Sequence, residues 1–289
     1  MNIATARPLA QETLQRTRLP SGVELHWAAG GQGAPLVFVH GVMGDWMAWA
    51  PQWPAFTPAF ACRTYSRRYN HPNRNAQPSP DHSALVEADD LAQLLDAWGL
   101  ERVHIVASSY GAFTALALAV GQPGRVRSLV AVEPAMLCYA EFSASGRAAL
   151  AEFRHRVVEP ANAAFRRGDD ALGAALMTGG IHHGAIADLH SPAMQRRLQS
   201  ARAMRMLALS SNEFPLLPPA ALAALPMPVL LLSGRQTAPI HAEVFRNVCA
   251  AMPQAGVAVV DGAGHGVSRD QPDAFNRLAL QFLAQQPAH

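Results

Sequence analysis

The stretch from Val103 to Leu116, VHIVASSYGAFTAL, is an apolar run that stops at a cluster of small residues and restarts with helical spacing. Few folds accommodate such a pattern. Ala107, Ser108, Ser109, Tyr110 and Gly111 read as small-x-Ser-x-Gly, the signature of a strand turning sharply into a helix, with alanine at the first small position. Bulky flanking side chains would collide within such a turn, and the central Ser109 would stand exposed at its tip. The amide of Tyr110 would then open a helix, where an unpaired N–H and the helix dipole can receive a developing negative oxygen.

The segments on either side supply a context for that turn. Gln15 to Arg18 and Val23 to Ala28 flank Pro20, Ser21 and Gly22 and read as an opening hairpin. Leu36 to Val39 is a short continuous apolar run suited to a strand buried on both faces. It ends in HGVMGD, a loop whose glycines let the backbone approach a ligand closely. The Val42 amide is a candidate oxyanion donor there, and Met43 and Trp46 are candidate substrate contacts. Trp46, Trp49 and Trp53 share the spacing of one helix face. Ala61 to Tyr65 is the next strand, and the polar, proline-bearing SRRYNHPNRNAQPSP that follows is expected to be a surface loop with Arg67 and Arg68 as a solvated pair.

Leu85 to Trp98 keeps helical spacing up to Gly99, and Ser128 to Val132 is a further strand. Alternating strands and helices from Leu36 to Val132 imply a parallel sheet covered on both faces. From Pro134 onward the Val/Ile-rich runs give way to Ala, Leu, Met and Arg at helical spacing. The expected division is a core of residues 1–133 and 227–289 with a helical cap, or lid, inserted at 134–226. Met177, Met194, Met204, Met206 and Phe214 either line an apolar pocket in it or pack the lid on itself. His182 and His183 are adjacent, lack metal-ligand spacing, and suggest no metal site. Sheet character returns at Met227 to Ser233 and Val257 to Val260, separated by a helix over Ala242 to Ala251 and followed by a terminal helix from Pro272. His265 stands between two glycines in DGAGHG, in a loop that leaves its imidazole accessible.

Composition removes several function classes. The sequence contains no lysine, so lysine Schiff bases and lysine-dependent phosphate loops are excluded. A formal charge of +2 is too small to make nucleic acid or an anionic membrane the main partner. The three cysteines are dispersed, which suits a reducing compartment. With no apolar leader and no long apolar run, a cytoplasmic protein is expected.

Together the HGVMGD loop, the ASSYGA turn, the helical insertion and the late GAGHG histidine resemble the α/β-hydrolase superfamily over nearly the whole chain. The resemblance implies an α/β-hydrolase fold, a mostly parallel central sheet flanked by helices. It implies Ser109 as nucleophile, His265 as base and acid, and the Val42 and Tyr110 amides as an oxyanion hole. The acid departs from the common pattern. Most members carry an aspartate after the strand corresponding to Val229 to Ser233, where GRQTAPI offers Thr237, a residue whose substitution should then matter little. Some haloalkane dehalogenases and zearalenone-type lactonases instead place a carboxylate after the strand that follows the elbow helix, and Glu133 of LVAVEP falls there. Asp261 and Asp270 rank behind it.

A serine rather than an aspartate at the elbow points to acyl transfer, namely hydrolysis of a carboxylic ester or lactone of a small hydrophobic substrate. Cofactor-free dioxygenation or carbon-carbon cleavage on the same site, and ligand reception with little turnover, are the alternatives. No cofactor and no metal are expected; the partner is a small-molecule ester or lactone, and a homodimer is the one protein assembly considered.

Overall fold

The computed structural model describes residues 7–76, 79–184 and 186–286. Eight strands form one sheet: β1 (Gln15–Arg18), β2 (Glu24–Gly30), β3 (Ala34–Val39), β4 (Phe60–Tyr65), β5 (Val103–Ser108), β6 (Val126–Val132), β7 (Val229–Gly234) and β8 (Gly256–Val260). Their order is β1-β2-β4-β3-β5-β6-β7-β8, antiparallel at β1/β2 and β2/β4 and parallel elsewhere. The central strands read as unbroken apolar runs because each has two faces to bury. Val37, Val39, Ile105, Ala107, Leu129 and Ala131 face one core with the helices Ala84–Ala97, Tyr110–Gly121 and Pro239–Ala251. The alternate residues Leu36, Phe38, Val106, Val130 and Val132 face a second core with Trp49, Trp53, Phe56 and Phe275. Between β6 and β7 every regular element is helical. No helix among the described residues is long and apolar enough to cross a membrane.

Two expectations are corrected here. Trp46, Trp49 and Trp53 do not share one helix: Trp46–Trp49 is a single 3-10 turn, and a separate short helix spans Trp53–Phe56. In a 3-10 turn residues three apart eclipse one another. Trp46 and Trp49 therefore both face the second core, with Trp49 1% exposed and Trp46 packed against it.

The segment after β4 lies at the surface from His71 onward among its described residues, as expected, but its first residues are buried rather than solvated. Arg67 is 1% exposed, with its Nε 2.9 Å from Glu87 Oε2 on the helix Ala84–Ala97. Arg68 donates two hydrogen bonds of 2.7 Å to Asp90, one turn further along that helix. The polar sequence is needed for these buried contacts. Asn70 and Asn73 likewise donate to the backbone carbonyls of Val42, Gly44, Ser66 and Arg67, which the irregular path leaves without ladder partners. The Arg67 amide donates to His40 Nε2 (3.1 Å) and its guanidinium to the His40 carbonyl (3.2 Å), so one buried arginine holds the loop after β3.

Buried histidines make stability sensitive to acid. Burial, then Arg67, holds His40 down to about 4, and burial together with Arg127 does the same to His104. Both stay neutral in the folded chain while the unfolded chain takes up their protons below about pH 6.5. Their contribution is therefore complete above that value and is lost as pH falls toward 4. The melting temperature should fall continuously across this interval in a thermal denaturation series, and a flat profile would contradict the burial of neutral imidazoles.

Candidate active site

Ser109 sits one residue past β5 with a φ of 53°, a left-handed conformation that a serine adopts only under constraint. The constraint is visible in the backbone. The Ser109 amide donates to the Val132 carbonyl (2.8 Å), while its own carbonyl accepts from Ala112, Phe113 and Ala135 (3.0, 3.1 and 3.2 Å). Gly111 makes the turn possible, because a side chain there would collide with the Val39 and His40 carbonyls. Among the described residues neither the Tyr110 nor the Val42 amide has a backbone partner. Both residues line the same cavity as Ser109.

Glu133 is the second strained residue, one position past β6 with a φ of 40°. It is 2% exposed, and its carboxylate is surrounded by donors. The Ser233 hydroxyl (2.7 Å) and Gly234 amide (2.9 Å) donate to Oε1; the Thr237 hydroxyl (2.8 Å) and His265 Nδ1 (2.6 Å) reach Oε2. Burial alone would raise this carboxyl, but the hydrogen bond and charge of His265, with help from Ser233, hold it at about 2. An ionised carboxylate only accepts, so the proton of the neutral imidazole lies on Nδ1. Nε2 is left to accept from the Ser109 hydroxyl, 2.9 Å away.

Residues 36–278 match the alpha/beta hydrolase family. The chain belongs to it. A Caulobacter sp. strain K31 protein named as a carbamate hydrolase, RutD, is 27% identical over 277 residues, 92% of this chain and 96% of its own. The carboxylesterase YbfK of Bacillus subtilis strain 168 is 26% identical over 265 residues, 89% of this chain and 82% of its own. The crystal structure of that Bacillus protein aligns with a TM-score of 0.71 at 22% identity over 96% of this chain and 93% of its own. A thermophilic esterase from Thermogutta terrifontis aligns with a TM-score of 0.73 at 20% identity over 94% of this chain and 98% of its own.

Within this alpha/beta hydrolase the other candidate acids lie elsewhere. Asp261 is exposed and pairs with Arg235, and Asp270 accepts from the Gly264 amide (3.0 Å) and contacts Arg269. Thr237 is not idle as the sequence suggested: its hydroxyl shares the Glu133 oxygen that binds His265.

Two cavities meet at Ser109. One of about 40 Å³ is lined by apolar side chains including Phe153, Met177, Met204 and Phe214, together with Glu213. The other, a groove of about 430 Å³, holds Met43 and exposes His265. Trp46 lines neither, which corrects its candidacy as a substrate contact: its 3-10 turn directs it to the core, and its amide is tied to the Ser66 hydroxyl (3.0 Å). Met194 packs within the helical segment instead.

Sequence reasoning missed His241. Its ring stacks on that of His265 with centroids 4.1 Å apart and planes 25° from parallel. Burial, then the neighbouring His265, holds it well below the ordinary histidine range, so a neutral ring covers the imidazole. Such a π face favours a cation when His265 charges. The only available signal was a polar residue in the first helical turn after β7, on the sheet's carboxyl edge. Among the described residues Glu133, His241 and His265 are close enough to share an ion. However, stacked rings direct their in-plane lone pairs side by side rather than toward a common point, and Glu133 already binds His265.

Thr237→Ala removes one of four donors to Glu133 and should lower turnover by about tenfold, with Thr237→Ser restoring it. The check is kcat on an activated ester beside an unchanged far-ultraviolet spectrum; a wild-type rate would show that the hydroxyl contributes nothing.

Proposed function

We propose that the protein is a serine hydrolase that cleaves a carboxylic ester or lactone through an acyl-enzyme. The observation that carries this reading is the continuous chain of hydrogen bonds from Ser109 Oγ through His265 to Glu133. It ends at a cavity lined also by Val42 and Tyr110, whose amides have no backbone partner among the described residues. Ser109 Oγ attacks the acyl carbon as its proton passes to His265 Nε2. The Val42 and Tyr110 amides hold the oxyanion, each donor contributing about 10²–10³ in turnover. Glu133 stabilises the imidazolium without taking its proton. His265 then protonates the leaving oxygen, and water repeats the sequence on the acyl-enzyme. The helical segment between β6 and β7 acts as the cap, since it supplies Met177, Ile181, Met204 and Leu207 to the cavity over the serine. The names of the esterase and carbamate hydrolase relatives agree with attack on an acyl carbon.

The two cavities divide the substrate. His265 must reach the leaving oxygen, and it lines the larger groove and not the smaller cavity. The groove therefore takes the alcohol portion and the smaller cavity the acyl portion. At about 40 Å³ that cavity has room for only a few heavy atoms.

A fluorophosphonate should add once to the wild-type protein and not to Ser109→Ala, as read by intact mass. Glu133→Gln should keep the fold and lower kcat by about 10³–10⁴. Absence of an adduct on folded protein would remove the acyl-enzyme. Acetyl and propionyl p-nitrophenyl esters should exceed the octanoyl ester by at least about tenfold in kcat/KM, because overfilling a packed cavity forces side chains from their rotamers.

A further inference from the structure

The larger groove carries positive charge that the acyl chemistry does not use. Arg196, Arg197 and Arg269 line it together with Ser109 and His265. Arg196 pairs with Asp45 (2.9 Å) and Arg269 with Asp270 (3.2 Å). Arg197 has no carboxylate partner among the described residues; its guanidinium rests 3.3 Å from His182 Nε2. The ring of His182 stands 6.2 Å from that of His265, so this cation is anchored beside the reacting imidazole. Arg269 lies against the loop that carries His265: a side chain on Gly266 would collide with its guanidinium. Burial first, and then Arg269, push Arg197 down to about 10, as expected of a cation desolvated beside a like charge.

Such an arrangement is unfavourable until an anion enters it. Asp45 and Asp270 offset Arg196 and Arg269, which leaves one unbalanced positive charge, suited to a monoanion rather than a dianion. The guanidinium fork matches the two oxygens of a carboxylate. We propose that Arg197, assisted by Arg269, forms an anion subsite that selects esters or lactones whose alcohol portion carries a carboxylate. The inference rests on the acyl-enzyme reading, because it assigns the groove to the leaving group. Arg67 and Arg68 are not available for such a role, since both are committed to Glu87 and Asp90.

The test compares kcat/KM for 3-acetoxybenzoate with that for neutral 3-acetoxybenzamide in the wild type, Arg197→Gln, Arg269→Gln and the control Arg156→Gln. Arg156 is exposed on the helical segment and paired with Glu152, outside the groove. The wild type should favour the carboxylate by about tenfold or more. That ratio should fall toward one in Arg197→Gln, fall partway in Arg269→Gln, persist in Arg156→Gln and shrink with added sodium chloride. A ratio near one in the wild type, or one unchanged in Arg197→Gln, overturns the subsite while leaving ester hydrolysis standing. If neither ester is turned over, titration with 3-hydroxybenzoate separates the two readings. Binding that Arg197→Gln abolishes upholds the anion subsite and leaves the acyl-enzyme to be decided by the fluorophosphonate adduct, whereas no binding by the wild type overturns the subsite.

Discussion

A carboxylate placed in a nonpolar interior must be surrounded by donors or it takes up a proton. Glu133 meets this demand with the Ser233 and Thr237 hydroxyls, the Gly234 amide and the His265 ring. Those donors come from the end of β7, the turn after it and the loop after β8, so one buried charge fixes three segments against each other. Gly234 shows how close the fit is, since any side chain there would strike the Ala263 and Gly264 carbonyls. The left-handed backbone at Glu133 is the local cost of turning its carboxylate back beneath the sheet's edge.

A second buried ion pair organises the opposite side of the serine. Arg67 donates to the His40 ring, the His40 carbonyl and Glu87 at once, while Glu87 also accepts from Thr114 on the elbow helix. The loop that presents the Val42 amide and the helix that begins with Tyr110 are thereby held by one network. Removing one member of such a pair typically costs about 3–5 kcal/mol, because its partner is left charged and dry. The Arg67 guanidinium also lies 5.3 Å over the Tyr110 ring, whose hydroxyl donates to the Glu213 carbonyl in the helical segment (2.7 Å).

The strands and most long helices were legible because burial on two faces leaves continuous apolar runs and burial on one leaves helical periodicity. The elbow, His265 and Glu133 were legible as placements, since each closes or follows a recognisable strand. What escaped the sequence depends on distance across the fold. Arg67 and Arg68 have the composition of a solvated loop, and only the helix 20 or so residues further on shows why they are buried. Thr237 was judged by the charge it lacks, although its hydroxyl donates to Glu133. His241 and Arg197 carry no local pattern at all; each acquires meaning from His265, which no spacing in the sequence places beside them.

The position of Glu133 has a consequence for how the chain could be recombined. Ser109 and Glu133 belong to one strand-helix-strand crossover, β5 to β6, and the long helical segment leaves the sheet only after both are in place. Its ends are pinned by the Ala135 amide on the Ser109 carbonyl at departure and by the Pro228 carbonyl on the Leu129 amide at return, and contacts such as Arg196 to Asp45 and Tyr110 to the Glu213 carbonyl tie it to the sheet domain in between. A substitute segment joined between these points would leave the backbone turns at Ser109 and Glu133 in place but would have to replace those contacts. The groove arginines Arg196 and Arg197 would leave with the old segment, while Arg269 stays with the sheet. The proposed anion subsite and the Ser109–His265–Glu133 hydrogen-bond chain thus draw largely on different lengths of sequence, joined at a seam beside Ser109.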